Sequence, residues 1–233
     1  AIDRPQIYYG ELTDSHVIAN SSEEEFDYPK GEENVYNRYQ GKGGVVLKNL
    51  WRKFLFGWKF DGTRLLLSSY PVPESRILFH RRVQERVEKV APFLHFDDDP
   101  YIVLAGGRLY WILDGYTTSD YYPYSEPYYA GERIEYRNGK RVLSSRVSSS
   151  LSGINYIRNS VKAVVDAYDG DVQFFVFAEE DPLIRAWEKV FPGLFRDRDE
   201  MDPELLAHVR YPTDMLLIQG LVYGKYHMGD PRA

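Results

Sequence analysis

Three short turn signals divide the middle of this chain into pairs of strand-like segments. Each is a dipeptide that ends in glycine, and each stands between runs rich in β-branched and aromatic residues. Such dipeptides adopt the positive φ angles of tight turns whose twist matches that of paired strands. The sequence therefore predicts three antiparallel hairpins, with strands over 101–105 and 108–114, 132–137 and 140–146, and 161–168 and 171–178. Their tips are Gly106-Gly107, Asn138-Gly139 and Asp169-Gly170.

Apolar residues at helical spacing predict helices on both sides of these hairpins. A wide apolar face runs from Leu47 to Trp58, and we expect it to pack against the core. A second helix is predicted from Pro73 to Ala91, and three more follow near the C-terminal end. These three begin at Asp181-Pro182, at Asp202-Pro203 and at Pro212, because proline suits the first turn and aspartate caps it.

Hairpins flanked by helices indicate an α+β protein. The predicted architecture is a mainly antiparallel sheet built from hairpins, with several packed helices, in a single domain. A length of 233 residues suits one large domain, and no convincing linker or internal repeat divides it. Residues 1–233 are therefore predicted to form one soluble domain, with Ala1 interpreted as a residue added for expression.

Composition excludes several classes of function. The net charge of −6 argues against broad nucleic-acid binding, which needs a basic face. Cysteine is absent, which removes disulfides and zinc–thiolate sites. The five histidines form no pair at metal-ligand spacing, so neither a metal site nor a cofactor is predicted. No segment approaches the roughly 18 consecutive apolar residues of a membrane-spanning helix.

Two glycine-rich or acidic segments have weaker functional interpretations. Gly41-Lys42-Gly43-Gly44 precedes a predicted helix, where backbone N–H groups could bind an anion, but it lacks the spacing of a phosphate-binding loop. Asp97-Asp98-Asp99 could hold a hard cation such as Ca²⁺. A solvated turn is the favoured interpretation of the acidic run, because adjacent carboxylates cannot all face one ion.

Eight segments covering most of the chain resemble uncharacterised protein family 0182, a group of bacterial membrane proteins. They are long enough to make the resemblance specific, whereas Ala130–Ser152 matches less clearly. The matching segments are RPQIYYGELTDS, ENVYNRYQGKGG, LLLSSYPVPESRILFHRRVQERVEKVAPFL, DPYIVLAGGRLYWILDGYTTSDYYPYS, GINYIRNSVKAVVDAYDG, FPGLF, HVRYP and YHMGDP.

This resemblance implies a larger, multi-pass parent protein in the cell membrane, with a bundle of N-terminal membrane helices. The chain would be a fragment of the soluble region, on the extracytoplasmic side. Its expected partners are the rest of the parent protein and the membrane, the latter through the N-terminal helices. The family supplies no reaction, ligand or catalytic residue, so no catalytic residue is predicted.

Two polar and aromatic stretches are the best candidates for a binding surface. One follows the predicted strand 108–114 and the other precedes the predicted strand 161–168; if the strands pair antiparallel, the stretches meet. Polar side chains that collect at strand ends are common at binding sites. The candidate residues are Tyr116, Asp120, Tyr122, Tyr124, Asn155, Arg158 and Asn159.

Tyrosine rings beside amide, guanidinium and carboxylate groups suit a polar ligand with apolar ring faces, such as a sugar. The leading hypothesis is therefore a non-enzymatic domain that binds an envelope glycan or a protein partner. The alternative at these residues is structural, because Arg158 could pair with Asp114 or Asp120 and simply lock the loops.

Two further hypotheses belong to other classes. An enzyme acting on envelope polysaccharide or lipid would use carboxylates such as Asp114 and Asp120, which should then lie about 5–10 Å apart in a concave pocket. A structural spacer for the membrane bundle would show no pocket and a large apolar patch near a chain end.

Overall fold

The computed structural model describes residues 2–31, 33–61, 67–129, 133–137, 140–144 and 149–226. It confirms the α+β class, with antiparallel strands predominating and helices between and after them. Its contacts group the chain into two compact units. Unit 1 comprises residues 1–86, 104–110 and 165–171, and unit 2 comprises 87–103, 111–164 and 172–233. The prediction of one domain over residues 1–233 stays a prediction.

Unit 1 contains five short strands in two small sheets. One sheet has the order β1-β5-β4, with both pairs antiparallel, and β2 pairs antiparallel with β3 in the other. Leu47 and Ile77 are fully buried beside the first sheet and form the centre of an apolar cluster. The strands are β1 (Val17–Ala19), β2 (Glu25–Lys30), β3 (Glu33–Asn37), β4 (Val45–Val46) and β5 (Arg76–Leu78).

The predicted helix from Pro73 to Ala91 is wrong over its first half. Arg76–Leu78 is strand β5, and the helix, α2, covers only Val83–Val90. Ile77 and Leu78 are both completely buried, which suits a strand covered on both faces. His80 then adopts a positive φ of 47°, which ends the extended segment before α2.

The predicted helix around Leu50 is present, but the packing expected of it is wrong. α1 (Leu50–Phe56) continues into a π-helical turn over Gly57–Asp61. None of the residues of α1 is buried. Leu47, just before the helix, is buried as expected, but the rest of the predicted apolar face is exposed, namely Leu50, Trp51, Phe54, Leu55 and Trp58. Phe56 and Phe60, on the other side, pack against the Leu47–Ile77 cluster instead.

The described residues also form a six-stranded sheet. Five strands follow the order β13-β12-β11-β8-β6, and β7 pairs with β8. β6 runs antiparallel to β8, whereas β13 runs parallel to β12. The strands are β6 (His95–Phe96), β7 (Tyr101–Ala105), β8 (Arg108–Ser119), β11 (Tyr156–Asp166), β12 (Val172–Val176) and β13 (Phe195–Asp197).

The structure describes the turn of the first predicted hairpin, but of the second hairpin it describes only the two strands. Gly106 and Gly107 connect β7 to β8 with positive φ angles of 54° and 75°, as a tight two-residue turn requires. β9 (Arg133–Arg137) and β10 (Lys140–Ser144) pair antiparallel, with Arg137 opposite Lys140. The predicted tip between them, Asn138-Gly139, lies outside the described residues.

The third hairpin is present with a longer loop than predicted. β11 ends at Asp166 and β12 begins at Val172, so Asp169 and Gly170 lie in a five-residue connection, too short to join parallel neighbours. Only Gly170 has a positive φ, 72°. A side chain at this position would also meet the Tyr9 ring, since a built Cβ comes within 2.5 Å of it.

The predicted C-terminal helices are confirmed. They are α3 (Pro182–Val190), α4 (Pro203–Ala207) and α5 (Thr213–Tyr226). Asp181 and Asp202 accept hydrogen bonds from the backbone N–H groups of Leu183 and Glu204, as N-caps do. Among the described residues, no helix has both the length and the apolar character needed to cross a membrane.

Candidate functional site

The structure brings the two candidate stretches together at one end of the β8–β11 pair. β8 ends at Ser119 and β11 begins at Tyr156, and the two strands are neighbours in the sheet. The backbone N–H of Asn155 donates to the carbonyl of Ser119 at 2.9 Å. The residues that leave β8 therefore lie beside those that enter β11, all within unit 2.

Asn155 holds the segment after β8 in one conformation. Its Oδ1 accepts from the backbone N–H of Tyr122 at 2.9 Å, and its Nδ2 donates to the carbonyls of Tyr122 and Ser125 at 2.8 and 3.1 Å. The Asn155 amide thus satisfies backbone N–H and C=O groups of the loop that have no partner strand to bond. Because both polar atoms of the Asn155 side chain bond the loop backbone, Asn155 orients the loop and has little hydrogen-bonding capacity left for a ligand.

We call residues 120–129 the tyrosine loop, because four of them are tyrosines with exposed rings. Tyr121 is 87% exposed and Tyr124 is completely exposed, while Tyr122 and Tyr129 are more than half exposed. Tyr122 stacks on Tyr156 of β11, with ring centroids 5.6 Å apart. Tyr124 adopts a φ of 59°, a conformation unusual for a bulky residue and often found at functional loops.

The far end of the tyrosine loop is attached to an apolar cluster. Tyr128 donates its N–H to the carbonyl of Ile154 and accepts from the N–H of Gly153. Its side chain packs against a cluster that includes Tyr116 and Met215. The loop is therefore fixed at both ends, with its exposed rings between them.

Tyr116 and Asn159 lie inside unit 2 and not on this exposed surface. Tyr116 is completely buried and donates to Asp97 Oδ2 at 2.5 Å. Burial, followed by the hydrogen bond to Asp97, raises the pKa of Tyr116 well above its ordinary value. Asn159 Nδ2 donates to Asp114 Oδ1 at 2.8 Å. Both side chains serve the interior of the unit.

Asp114 and Lys162 form a buried ion pair, with each side chain only 4% exposed. Lys162 also donates to the carbonyl of Arg210 and lies over the ring of Phe177. Burial raises the pKa of Asp114, and the charge of Lys162 opposes that rise. The partner of Asp114 is therefore Lys162, a residue that sequence reasoning missed. Its one signal was a lysine inside the apolar run Val161–Val165.

Asp181 is the acceptor of a second buried network. Ser160 and Tyr156 donate to its carboxylate, both at 2.6 Å, and Thr117 donates as well. Burial alone would raise the pKa of Asp181, but hydrogen bonds from Ser160, Thr117 and Tyr156 outweigh it and hold the pKa below its ordinary value. The N-cap role of Asp181 was visible in the sequence, but its partners on β8 and β11 were not.

The remaining two candidates, Asp120 and Arg158, have exposed side chains. The charge of Arg158 acts on the Tyr156 hydroxyl, at the edge of the Asp181 network. Burial, with the hydrogen bond to Asp181, raises the pKa of Tyr156 to about 12, and Arg158 opposes that rise. Arg158 is thus placed beside the ring that supports Tyr122, where it could contact a ligand or only support the ring.

The two weaker patterns are occupied by the protein itself. In unit 1 the N–H of Lys42 donates to Asp169 Oδ1 at 2.9 Å, and the N–H of Gly43 donates to the Tyr39 hydroxyl. The anion that this glycine-rich segment binds is therefore the carboxylate of Asp169. In the acidic run, Asp97 is buried and accepts from the N–H of Asp99, which corrects the expectation that the whole run is solvated. Within the described ranges, no group of three acidic or histidine side chains is arranged to hold a metal ion.

Comparison with known proteins gives the chain a family. The profile of an uncharacterised protein family, UPF0182, matches residues 1–233. A UPF0182 protein of Sulfurovum sp. is 48% identical over 232 residues, and one of Pelotomaculum thermopropionicum is 46% identical over 231 residues. A third, from Trichodesmium erythraeum, is 44% identical over 233 residues.

These alignments cover 99% of this chain but only 23–25% of each relative, so the chain spans about a quarter of their length. No solved structure matches the chain significantly. With a profile match over every residue and relatives this similar, the chain belongs to the uncharacterised protein family UPF0182.

Proposed function

We propose that this chain is a binding module and that its tyrosine loop binds a carbohydrate polymer of the cell envelope. The observation that carries the proposal is the combination of exposure and order in one loop. Tyr121, Tyr122 and Tyr124 present rings to solvent, while the Asn155 side chain holds the backbone of the loop at Tyr122 and Ser125 with three hydrogen bonds. Because the loop is ordered in advance, binding would cost little conformational entropy.

The chemistry of the loop favours a sugar over a purely apolar ligand. A tyrosine offers an apolar face that stacks on a sugar ring and a hydroxyl that hydrogen-bonds at its edge. Asp120 and Arg158 add charged donors and acceptors at the border of the same surface. A protein partner with exposed polar and apolar groups is the second class of ligand that such a surface suits.

The positions of the acidic side chains disfavour the enzymatic alternative. Asp114 and Asp120 lie six residues apart along an extended segment, which separates their backbones by roughly 20 Å. Glycoside-cleaving carboxylates lie about 5–10 Å apart. Asp114 is also buried and paired with Lys162, so it is not placed to meet a substrate.

We further propose that the parent protein is a multi-pass protein of the bacterial cell membrane and that this part faces away from the cytoplasm. The support is the sequence resemblance, and the relatives' length leaves room for other segments. Protease treatment of intact cells tests the location. We expect cleavage within this chain before the membrane is permeabilised, and protection until lysis would contradict it.

The binding proposal is tested by sedimentation of the chain with purified peptidoglycan. The double variant Tyr121→Ala/Tyr124→Ala should reduce binding about tenfold or more, because stacked aromatic residues dominate such surfaces. Both rings are exposed, so the melting temperature should not change. Tyr28→Ala/Tyr36→Ala is the matched control, since these two tyrosines are also exposed but lie on the β2–β3 hairpin.

Equal loss of binding in the control would indicate non-specific adhesion and contradict the proposal. Absence of binding by the unsubstituted chain would contradict the choice of glycan. A change in melting temperature for Tyr121→Ala/Tyr124→Ala would favour the structural role of the loop over the binding role.

The spacer hypothesis is the second candidate, and one observation favours it. α5 exposes Leu216, Leu221, Val222 and Tyr223, an apolar surface of the kind that contacts another segment. Substituting Leu216 and Tyr223 by serine in a full-length relative, at the aligned positions, should then lower the amount of assembled parent protein. Unchanged assembly would contradict a spacer role.

A further inference from the structure

Five exposed apolar side chains of unit 1 lie on the helix that was expected to be buried. Trp51 and Trp58 are 74% and 82% exposed, and Leu50, Phe54 and Leu55 of the same helix are also exposed. We call these five residues the aromatic stripe. Exposed Trp and Leu side chains concentrated on one helix face are uncommon on a protein surface and mark an interaction site.

The stripe is continuous along one face. Its residues follow helical spacing, and Trp51, Phe54 and Trp58 form a chain of ring contacts, with centroids 6.1 and 6.3 Å apart. The opposite face is already used, because Phe56 and Phe60 pack into the apolar cluster of unit 1. The helix is therefore attached by one side and presents the other as a ridge about two turns long.

Positive charge borders the stripe. Residues 48–60 contain four cations and no acidic residue, although the whole chain carries a net charge of −6. Arg52 lies three residues from Leu55, at one edge of the stripe, and donates to the carbonyl of Val46. The ammonium group of Lys59 lies over the rings of Phe60 and Phe79, on the side of the apolar cluster. Lys48 is exposed just before the helix. An apolar face with Trp near each end and the exposed cations Lys48 and Arg52 beside it matches a helix that lies in the interface of an anionic bilayer.

We propose that the aromatic stripe docks on the surface of a membrane containing anionic lipids, with the helix parallel to the surface. The tryptophans enter the boundary between headgroups and acyl chains, and the cations meet lipid phosphates. Lipid is favoured over a protein partner because protein interfaces are depleted of lysine, whereas an anionic headgroup layer attracts it. This inference concerns unit 1 and is independent of the tyrosine loop.

Co-sedimentation of the 233-residue chain with vesicles tests the proposal. Vesicles of phosphatidylcholine and phosphatidylglycerol in equal parts should bind the chain at low salt, and pure phosphatidylcholine vesicles should bind it much more weakly. The double variant Trp51→Ala/Trp58→Ala should reduce partition about tenfold or more, because it removes the two largest apolar anchors. Lys48→Glu should weaken binding to anionic vesicles alone.

Tyr121→Ala/Tyr124→Ala is the matched control, because it removes two equally exposed aromatic rings from unit 2. Its vesicle binding should equal that of the unsubstituted chain. Bromine-labelled acyl chains add a second measurement: they should quench part of the tryptophan fluorescence, and Trp51→Ala/Trp58→Ala should remove that quenched part. Circular dichroism should show the same melting temperature for all these variants, since every substituted side chain is exposed.

Three outcomes would overturn the proposal. The first is no binding of the unsubstituted chain to the anionic vesicles at low salt. The second is equal binding by Trp51→Ala/Trp58→Ala. The third is a dimer in sedimentation velocity that this variant abolishes while vesicle binding is unaffected, which would assign the stripe to contact with a second copy.

Discussion

Two of the buried carboxylates of unit 2, Asp114 and Asp181, lie close to the same strands and are stabilised in different ways. Asp114 faces one opposite charge, the ammonium group of Lys162, with an amide donor from Asn159. Asp181 accepts from neutral donors, the hydroxyls of Thr117, Ser160 and Tyr156 and the N–H of Leu183. The pKa of Asp114 lies above its ordinary value and that of Asp181 lies below it.

Asp114 is the more strongly desolvated of the two, and Lys162 with Asn159 does not offset that burial, whereas the hydroxyl and backbone donors of Asp181 outweigh a smaller burial effect. Each hydroxyl donor stabilises the charged form without adding a second ion that must itself leave water. An ion pair requires both partners to be desolvated, so its Coulomb energy is offset by two penalties. The Asp114–Lys162 pair should accordingly be costly to break and nearly neutral to replace as a whole.

The largest effect is expected from breaking the ion pair on one side. Lys162→Met keeps the volume of the side chain but leaves Asp114 buried without its cation, which should lower the free energy of unfolding by about 3–5 kcal/mol. Urea denaturation measures this loss. Adding Asp114→Asn to the same chain removes the uncompensated charge and should recover most of it. An equal loss in the single and double variants would contradict this account.

A smaller loss is expected at Asp181. Asp181→Ala leaves buried hydroxyls of Thr117 and Ser160 without their acceptor and removes the N-cap of α3, for a loss of about 2–3 kcal/mol. Asp181→Asn retains an acceptor for the cap and some of the hydroxyls, so it should lose less. Urea denaturation of the three chains gives the order. Equal stability of Asp181→Ala and the unsubstituted chain would show that the hydroxyls find other partners.

The two carboxylates should also contribute to acid unfolding with opposite signs. The pKa of Asp181 is lower in the folded state, so its contribution is complete above the ordinary value and is lost as pH falls through the folded pKa. The pKa of Asp114 is higher in the folded state, so its contribution is present at low pH and is lost as pH rises through the folded pKa.

Free energies of unfolding between neutral and acidic pH test these signs. Asp181→Asn should flatten the loss of stability at acidic pH, and Asp114→Asn should steepen it. The same change of slope in both variants would contradict the comparison, because it would mean that both carboxylates are stabilised in the charged form.

Local signals in the sequence predicted much of this fold, and long-range contacts account for what they missed. Gly106-Gly107 and Asp181-Pro182 determine a turn and a helix start through their own backbone preferences, and both were predicted correctly. Arg76–Leu78 was assigned to a helix because its apolar residues continue a helical spacing. Its pairing with β1 and β4 depends on residues far away in the chain.

At the candidate site, too, the sequence predicted some features and missed those that depend on long-range contacts. The hairpin pattern placed the stretches after β8 and before β11 side by side on the condition that these two strands pair antiparallel, because such strands bring these ends together. It did not separate Tyr116, which is buried, from Tyr122 and Tyr124, which are exposed. The exposed stripe of α1 was taken as a core face for a related reason: periodicity identifies an apolar face but not the surface that the face contacts.

The smallest loss of stability is expected from removing the hydrogen bonds of Asn155. Unlike those of Asp114 and Asp181, these bonds are exposed to solvent. Water can therefore replace most of what Asn155→Ala removes, and the loss of stability should be about 1 kcal/mol. The consequence should instead be local, with faster hydrogen exchange at the Tyr122 amide and unchanged exchange in β8 and β11. Asn37→Ala, a substitution at an asparagine of strand β3 in unit 1, should leave exchange in the tyrosine loop as it is. A loss of stability for Asn155→Ala as large as that for Asp181→Ala would contradict this account. It would mean that the tyrosine loop is part of the buried network and not a separate exposed surface.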